Sequence, residues 1–287
     1  MELVQHIRRV TVLGAGQMGS GIAQTLAQHG YDTSLYDITD AATERGMAAI
    51  ASSLDRLMKK GRLTPEQREA AWLRLTPVTT LEVCRDSDFV IEAVPEQLEL
   101  KQKLFREIVS ICPLSTILAT NTSSLSITAI AGATTRPSQV IGMHFMNPVP
   151  IMPLVEVIRG LATSEAALVT TVALAESLGK TAIRVEDYPG FISNRILMPM
   201  INEAIYAVYE GVAEPESIDQ IIKLGMNHPM GPLTLADFIG LDTCLFIMET
   251  LHEGFGDSKY RPCPLLRNYV SAGWLGKKTG RGFYSYE

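Results

Sequence analysis

Cysteine is scarce in this sequence. Only Cys84, Cys112, Cys244 and Cys263 occur in a chain of 287 residues, and they stand far apart. Without a C-x-x-C pair, neither a zinc site nor a thioredoxin-type redox centre is expected. Usage this sparse fits a reducing, cytoplasmic compartment. Basic residues are in the minority as well, 25 Lys plus Arg against 31 Asp plus Glu, for a net charge of −6. That balance argues against a dedicated nucleic-acid binder. Long apolar runs are missing. The longest uncharged stretch, Ile108 to Thr135, is nearly half Ser, Thr, Asn and Pro, so no membrane partner or membrane helix is expected. Behind Arg8 and Arg9 the apolar run breaks at Gly14, too early for a secretory signal. Internal repeats and low-complexity tracts are absent.

What remains is an ordinary globular composition, 46% apolar and 20% charged, in a length that predicts about two domains. Through the first two-thirds, short β-rich runs alternate with helical patterns, the mark of βαβ units and a parallel sheet. Strands are expected at Arg9–Leu13, Thr33–Tyr36, Asp88–Ala93, Thr116–Ala119, Val140–Met143, Leu154–Ile158 and Ala182–Val185. Helices are expected near Gln17–His29, Asp40–Lys60, Pro65–Leu73, Leu98–Ile111 and Ser164–Leu178. The two helical patterns over 40–73 read as a hairpin inserted between the second and third strands and projecting from the sheet. The pattern changes at Asp187-Tyr188-Pro189-Gly190, because Pro-Gly breaks both helix and strand. Beyond it Ile192, Ile196, Met200, Ala204 and Val208 recur at intervals of four, and Ile218, Ile221, Ile222 and then Leu235 to His252 read as further helices. The fold class is therefore α/β: a Rossmann-like, mostly parallel sheet over 1–187, followed by a smaller all-helical domain over 188–287. That domain's Ile-, Leu- and Met-rich surface serves either as plain core or as a dimer interface.

Competing catalytic and phosphate motifs fail. No G-x-S-x-G, H-E-x-x-H or EF-hand loop occurs, and Gly179-Lys180-Thr181 lacks the first P-loop glycine, with Leu174 in its place. No metal site is expected. One motif does fit: Val10-Thr-Val-Leu-Gly14-Ala-Gly16-Gln-Met-Gly19 places G-x-G-x-x-G between a β-run and a helix. There Gly14 permits the turn, Gly16 admits a pyrophosphate to the backbone, and Gly19 lets helix and strand pack closely. Gln17 and Met18 lie inside the same cofactor loop. Asp37 comes directly after the second strand, where an acid accepts hydrogen bonds from adenosine ribose hydroxyls. The expected cofactor is NAD.

A nicotinamide enzyme acting on an alcohol needs a base for the hydroxyl proton. Of five histidines, His144 ends an apolar strand in Gly142-Met-His-Phe-Met-Asn-Pro148, and ligands bind at the carboxyl ends of such strands. In the next apolar run, Glu156 interrupts Leu154-Val-Glu-Val-Ile158. If the two meet, the carboxylate fixes the imidazole tautomer and stabilises the imidazolium. From spacing alone, a core histidine and an edge-strand glutamate explain the pattern equally well.

These residues carry a resemblance. Val12-Leu-Gly-Ala-Gly-Gln-Met-Gly19, Asn121-Thr-Ser-Ser124, Gly142–Pro148, Leu154-Val-Glu-Val157, Pro189-Gly-Phe-Ile-Ser-Asn-Arg195, Pro229-Met-Gly-Pro232 and Gly276-Lys-Lys-Thr-Gly280 resemble, in order, the 3-hydroxyacyl-CoA dehydrogenases of the short bacterial type. The resemblance implies that His144 is the general base, Glu156 its partner, and Ser123 and Asn194 substrate contacts near the reacting oxygen. It implies cofactor contacts at Asp37, Glu96, Lys101, Ser123 and Asn147. It also implies contacts to coenzyme A at Ser53 and Lys60, with Arg56 one turn from both. The implied reaction is reversible oxidation of a (3S)-3-hydroxyacyl-CoA thioester by a stand-alone homodimer that pairs through its helical domain. Two alternatives stay open: a dehydrogenase for the dicarboxyl thioester 3-hydroxyadipyl-CoA, and a non-catalytic nucleotide-binding protein like the related lens crystallin.

Overall fold

The computed structural model describes residues 4 and 6–286, which fall into two compact units divided between Asp187 and Tyr188. The first unit runs β1 (Arg9–Leu13), α1 (Gln17–Gln28), β2 (Asp32–Tyr36), α2 (Asp40–Lys59), α3 (Pro65–Trp72), β3 (Leu75–Val78) and β4 (Phe89–Glu92). It continues through α4 (Leu98–Ile111), β5 (Ile117–Thr120), α5 (Ile127–Ala131), β6 (Val140–Phe145), β7 (Leu154–Arg159), α6 (Glu165–Ser177) and β8 (Thr181–Glu186). The eight strands form one sheet in the order β3-β2-β1-β4-β5-β6-β7-β8. Every neighbouring pair is parallel except β6 and β7. Helices cover both faces of such a sheet, which is why Phe89–Glu92, Ile117–Thr120 and Val140–Phe145 are buried at every position.

Two expectations about this unit need correction. The sequence reading lacks β3, which pairs with β2 as the outermost strand. Pro77 stands in its middle and has no N–H for a ladder, a residue that only an edge position tolerates; that proline masked the strand. The helical hairpin α2–α3 does not stand off the sheet, either. Ile50, Leu54 and Ala71 are buried in the core shared with Ile22 and Leu26 of α1. Gly46 of α2 lies so close to the glycine loop that a Cβ there would meet Ala15 and Ser20 at 2.9–3.0 Å. The approach carries the next two turns of α2 past that loop.

The second unit contains α7 (Ser193–Tyr209), α8 (Pro215–Gly225), α9 (Pro232–Ile239), α10 (Leu241–Phe255) and α11 (Pro264–Ser271). Its core takes Met198, Ile201 and Ile205 from α7. The four-spaced row expected there is only partly inward: Ala204 is buried, but Ile192 and Ile196 are 55% and 66% exposed. An interval of four drifts around a helix of 3.6 residues per turn, so its first members leave the face the last ones share. The run Leu235 to His252 is two helices, divided at Gly240 (φ +101°). Among the described residues no helix is long and apolar enough to cross a membrane.

Candidate active site

The glycine loop follows β1. Gly14 adopts φ +108°, and a Cβ on it would sit 2.6 Å from the Ala93 carbonyl oxygen. Nothing approaches within 4 Å of a Cβ built on Gly16, so the backbone there is open to a ligand. No side chain caps α1 at Gly16, whereas Thr39, Thr64 and Ser164 cap α2, α3 and α6. Uncapped N–H groups and the positive helix end suit a pyrophosphate. Asp37, just past β2, accepts the N–H of Ala15 (2.8 Å) on Oδ2 and of Ile38 (2.8 Å) on Oδ1. A carboxylate has about four acceptor sites, so each oxygen keeps capacity for a ribose hydroxyl. A cleft of about 650 Å³ opens beside it, lined by Gly14, Gly16, Gln17, Met18 and Asp37 and by apolar Ile38, Leu81, Val94, Leu100 and Leu104. This slot suits an adenine ring, and the sequence reading missed its apolar wall. The one signal was Ile38, an apolar residue standing exposed beyond a strand end.

The residues present thus fit a dinucleotide, and the surroundings of Asp37 select its kind. A 2′-phosphate would bring a second anion against the carboxylate, next to Asp40. Arg45 lines a different cleft and cannot compensate. An expected penalty of about 1.4–3 kcal/mol makes kcat/KM for NADH roughly ten- to a hundred-fold higher than for NADPH. Side-by-side kinetics check it; a preference for NADPH would refute the role of Asp37.

His144 and Glu156 face each other in the antiparallel register of β6 and β7. His144 Nδ1 lies 2.9 Å from Glu156 Oε2, with both residues buried. A carboxylate accepts, so Nδ1 carries the hydrogen, and in a neutral imidazole that leaves the lone pair on Nε2. The loop between these strands holds Asn147, whose Oδ1 accepts from Gln17 Nε2 at 3.3 Å. Lys180, from the failed P-loop motif, pins this loop by donating to the carbonyls of Val149 (2.6 Å) and Met152 (2.9 Å). Burial pushes its amine below the ordinary lysine range.

Ser123 lies in the loop after β5. Glu96 gathers that loop on one oxygen: Oε1 accepts the Thr122 hydroxyl (2.6 Å), the Ser123 N–H (2.8 Å) and, at 3.2 Å, the Ser123 hydroxyl. Lys101 belongs to the same cluster. It is 1% exposed, and its ammonium meets Glu92, the Val94 carbonyl and Glu96. Its three hydrogens are thus directed at protein acceptors. Ser53 and Arg56 line a second cleft, of about 280 Å³, with Gly16, Gln17, Asn147 and Pro148. Arg45 joins them from an earlier part of α2; Lys60, beyond the helix end, is not among the lining residues. Asn194 stands in the first turn of α7 in the second unit and is buried.

A glycine loop, an acid after β2 and a histidine–carboxylate pair on one sheet define a nicotinamide-dependent oxidoreductase. Comparison with known proteins narrows the class. The 3-hydroxyacyl-CoA dehydrogenase NAD binding domain matches residues 9–188, and the C-terminal domain of the same enzymes matches 190–286. The chain is 61% identical over 282 residues to a probable 3-hydroxybutyryl-CoA dehydrogenase of Bacillus subtilis, covering 98% of each chain. It is 53% identical to the 3-hydroxybutyryl-CoA dehydrogenase of Bradyrhizobium diazoefficiens, covering 98% of this chain and 96% of that one. The crystal structure of the (S)-3-hydroxybutyryl-CoA dehydrogenase of Ralstonia eutropha superposes with a TM-score of 0.96 at 52% identity, over 98% and 99% of the two chains. The chain belongs to the 3-hydroxyacyl-CoA dehydrogenase family. It is an NAD-dependent enzyme, which removes the non-catalytic alternative.

Proposed function

We propose that this enzyme interconverts (3S)-3-hydroxyacyl-CoA and 3-oxoacyl-CoA with 3-hydroxybutyryl-CoA as its substrate, and that His144 and Glu156 form its general base. The observation that carries this reading is the 2.9 Å contact between His144 Nδ1 and Glu156 at the carboxyl end of β6. Bound NAD⁺ supplies the hydride acceptor. His144 Nε2 takes the 3-hydroxyl proton as hydride leaves C3, and the Glu156 carboxylate stabilises the imidazolium that results. In the first unit, Ser123 contacts the substrate near the reacting oxygen by a hydrogen bond that strengthens as charge shifts; the family likeness supports a substrate contact at Asn194 of the second unit as well. Asp37, the glycine loop with Gln17 and Met18, Glu96, Ser123 and Asn147 hold the cofactor, while Lys101 acts from beneath through Glu96.

For the coenzyme A portion, Ser53 and Arg56 share a cleft with the glycine loop and Lys60 lies one turn on. Contacts far from C3 contribute alike to ground and transition states. Arg56→Ala is therefore expected to raise KM for the thioester about tenfold with kcat little changed, and Lys60→Ala to do the same more weakly. A constant KM in both variants would remove this cradle. Exposed Ile192, Ile196, Ile221 and Leu224 of the helical unit support a homodimer paired through that unit, which light scattering reads as twice the chain mass. Four free cysteines support a cytoplasmic setting. The decisive assay is NADH oxidation with acetoacetyl-CoA. No turnover ends the reading, and a higher kcat/KM for 3-oxoadipyl-CoA replaces the substrate.

A further inference from the structure

Three ionisable side chains meet under the Ser123 loop. Glu92, the last residue of β4, is fully buried and takes no part in the mechanism above. Its Oε1 accepts from Lys101 Nζ (2.6 Å) and the Val94 N–H (2.7 Å), and its Oε2 from the Thr120 hydroxyl (2.7 Å). Burial pushes the Glu92 carboxyl upward, and Lys101 and Thr120 oppose that push. The Lys101 ammonium donates to the Glu92 carboxylate, and as an ion pair the two carry no net charge. The charge left over belongs to Glu96, whose Oε2 lies 3.3 Å from Lys101 Nζ. Burial would raise the Glu96 carboxyl too. Here Lys101, the Thr122 hydroxyl and the Ser123 N–H outweigh burial and hold it below the ordinary carboxylate range. Glu96 is therefore an anion at neutral pH.

Its place in the sheet gives that anion a target. Strands β2, β1 and β4 lie side by side, and Asp37, the glycine loop and Glu96 follow their respective carboxyl ends. A dinucleotide with its ribose at Asp37 and its pyrophosphate at Gly16 extends its nicotinamide toward β4 and β5. The oxidised ring is cationic and the reduced ring is neutral; the rest of the molecule has the same charge in both forms.

We propose that Glu96 sets the redox preference of dinucleotide binding, its carboxylate favouring the cationic oxidised form over the neutral reduced one. Glu92 and Lys101 are positioning residues that keep this charge in place. This rests on the cofactor placement proposed above.

Calorimetric titration of the full chain with NAD⁺, NADH and ADP-ribose separates a charge effect from a loss of structure. Removing a unit charge near the ring should weaken NAD⁺ relative to NADH by about tenfold in Glu96→Gln. ADP-ribose, which lacks the ring, should bind the variant within about twofold of the parent. Glu96→Asp retains the charge and should restore most of the ratio. The double variant Glu92→Gln, Lys101→Met conserves net charge but removes the groups that hold the Glu96 carboxylate in place, and should move the ratio part of the way toward that of Glu96→Gln. An unchanged NAD⁺/NADH ratio in Glu96→Gln, or a parallel loss of all three ligands, overturns the proposal. A parent chain that binds none of the three refutes the cofactor placement itself.

Discussion

A His144→Gln variant is expected to fold and bind NADH like the parent while turning over 3-oxoacyl-CoA about 10²–10⁴-fold more slowly, the usual cost of a lost general acid–base group. Glutamine spans similar space and can still hydrogen-bond to Glu156 across the β6–β7 register, so the strand pair is retained. What it lacks is a nitrogen that can take and return a proton near neutral pH. The loss should fall on kcat, because proton transfer belongs to the transition state rather than to substrate binding. Glu156→Gln is expected to lower kcat in the same direction by less, since an amide stabilises the imidazolium more weakly than a carboxylate does. Stopped-flow and steady-state rates with a fluorescence titration of NADH separate binding from chemistry. An unchanged kcat in His144→Gln would eliminate the base.

The second large effect is expected from Gly19→Ala. Its Cβ would fall 1.7 Å from the Gly14 carbonyl oxygen and 3.5 Å from Val12. The obstacle is backbone, and Gly14 has no room to retreat, because a Cβ built on it would already lie 2.6 Å from the Ala93 carbonyl oxygen. Helix α1 must therefore move away from the turn, and its uncapped N-terminus leaves the pyrophosphate position. NADH affinity should fall at least about tenfold, with a stability loss of about 1–3 kcal/mol from overpacking. Gly16→Ala is the contrast, since its Cβ meets open space in the protein and its effect should appear only when a dinucleotide approaches. Thermal unfolding of both variants, with and without NADH, reads the difference. Equal behaviour of the two would mean that close packing at Gly19 does not govern the site.

Much of the first unit was legible because its signals are local. Strand, glycine turn, helix, second strand and acid follow one another without interruption from Arg9 to Asp37, and each step depends on its neighbours' steric limits. The slot beside Asp37 was not legible in the same way. Leu81, Leu100 and Leu104 reach it from two segments that only the sheet order brings next to β2. Arg45 shows the same limit. Its distance from Asp37 along α2 could be counted, but not the packing of Gly46 on Ala15 that carries this face of α2 past the glycine loop.

By itself the sequence determined the α/β class, the dinucleotide loop and its acid, because glycine, β-branched and apolar periodicities act through neighbouring residues. Tertiary structure decided what spacing cannot. The interval between His144 and Glu156 allows them to sit on parallel strands, on opposite faces, or face to face. The antiparallel turn between β6 and β7 selects the last. In the same way, the ends of β4 and β5 bring Glu92, Glu96, Lys101 and Ser123 together, although a whole helix, α4, and strand β5 lie between the first and the last. Pairing direction and strand order are settled by burial of the whole sheet between its helices, a free energy that no local stretch of chain contains.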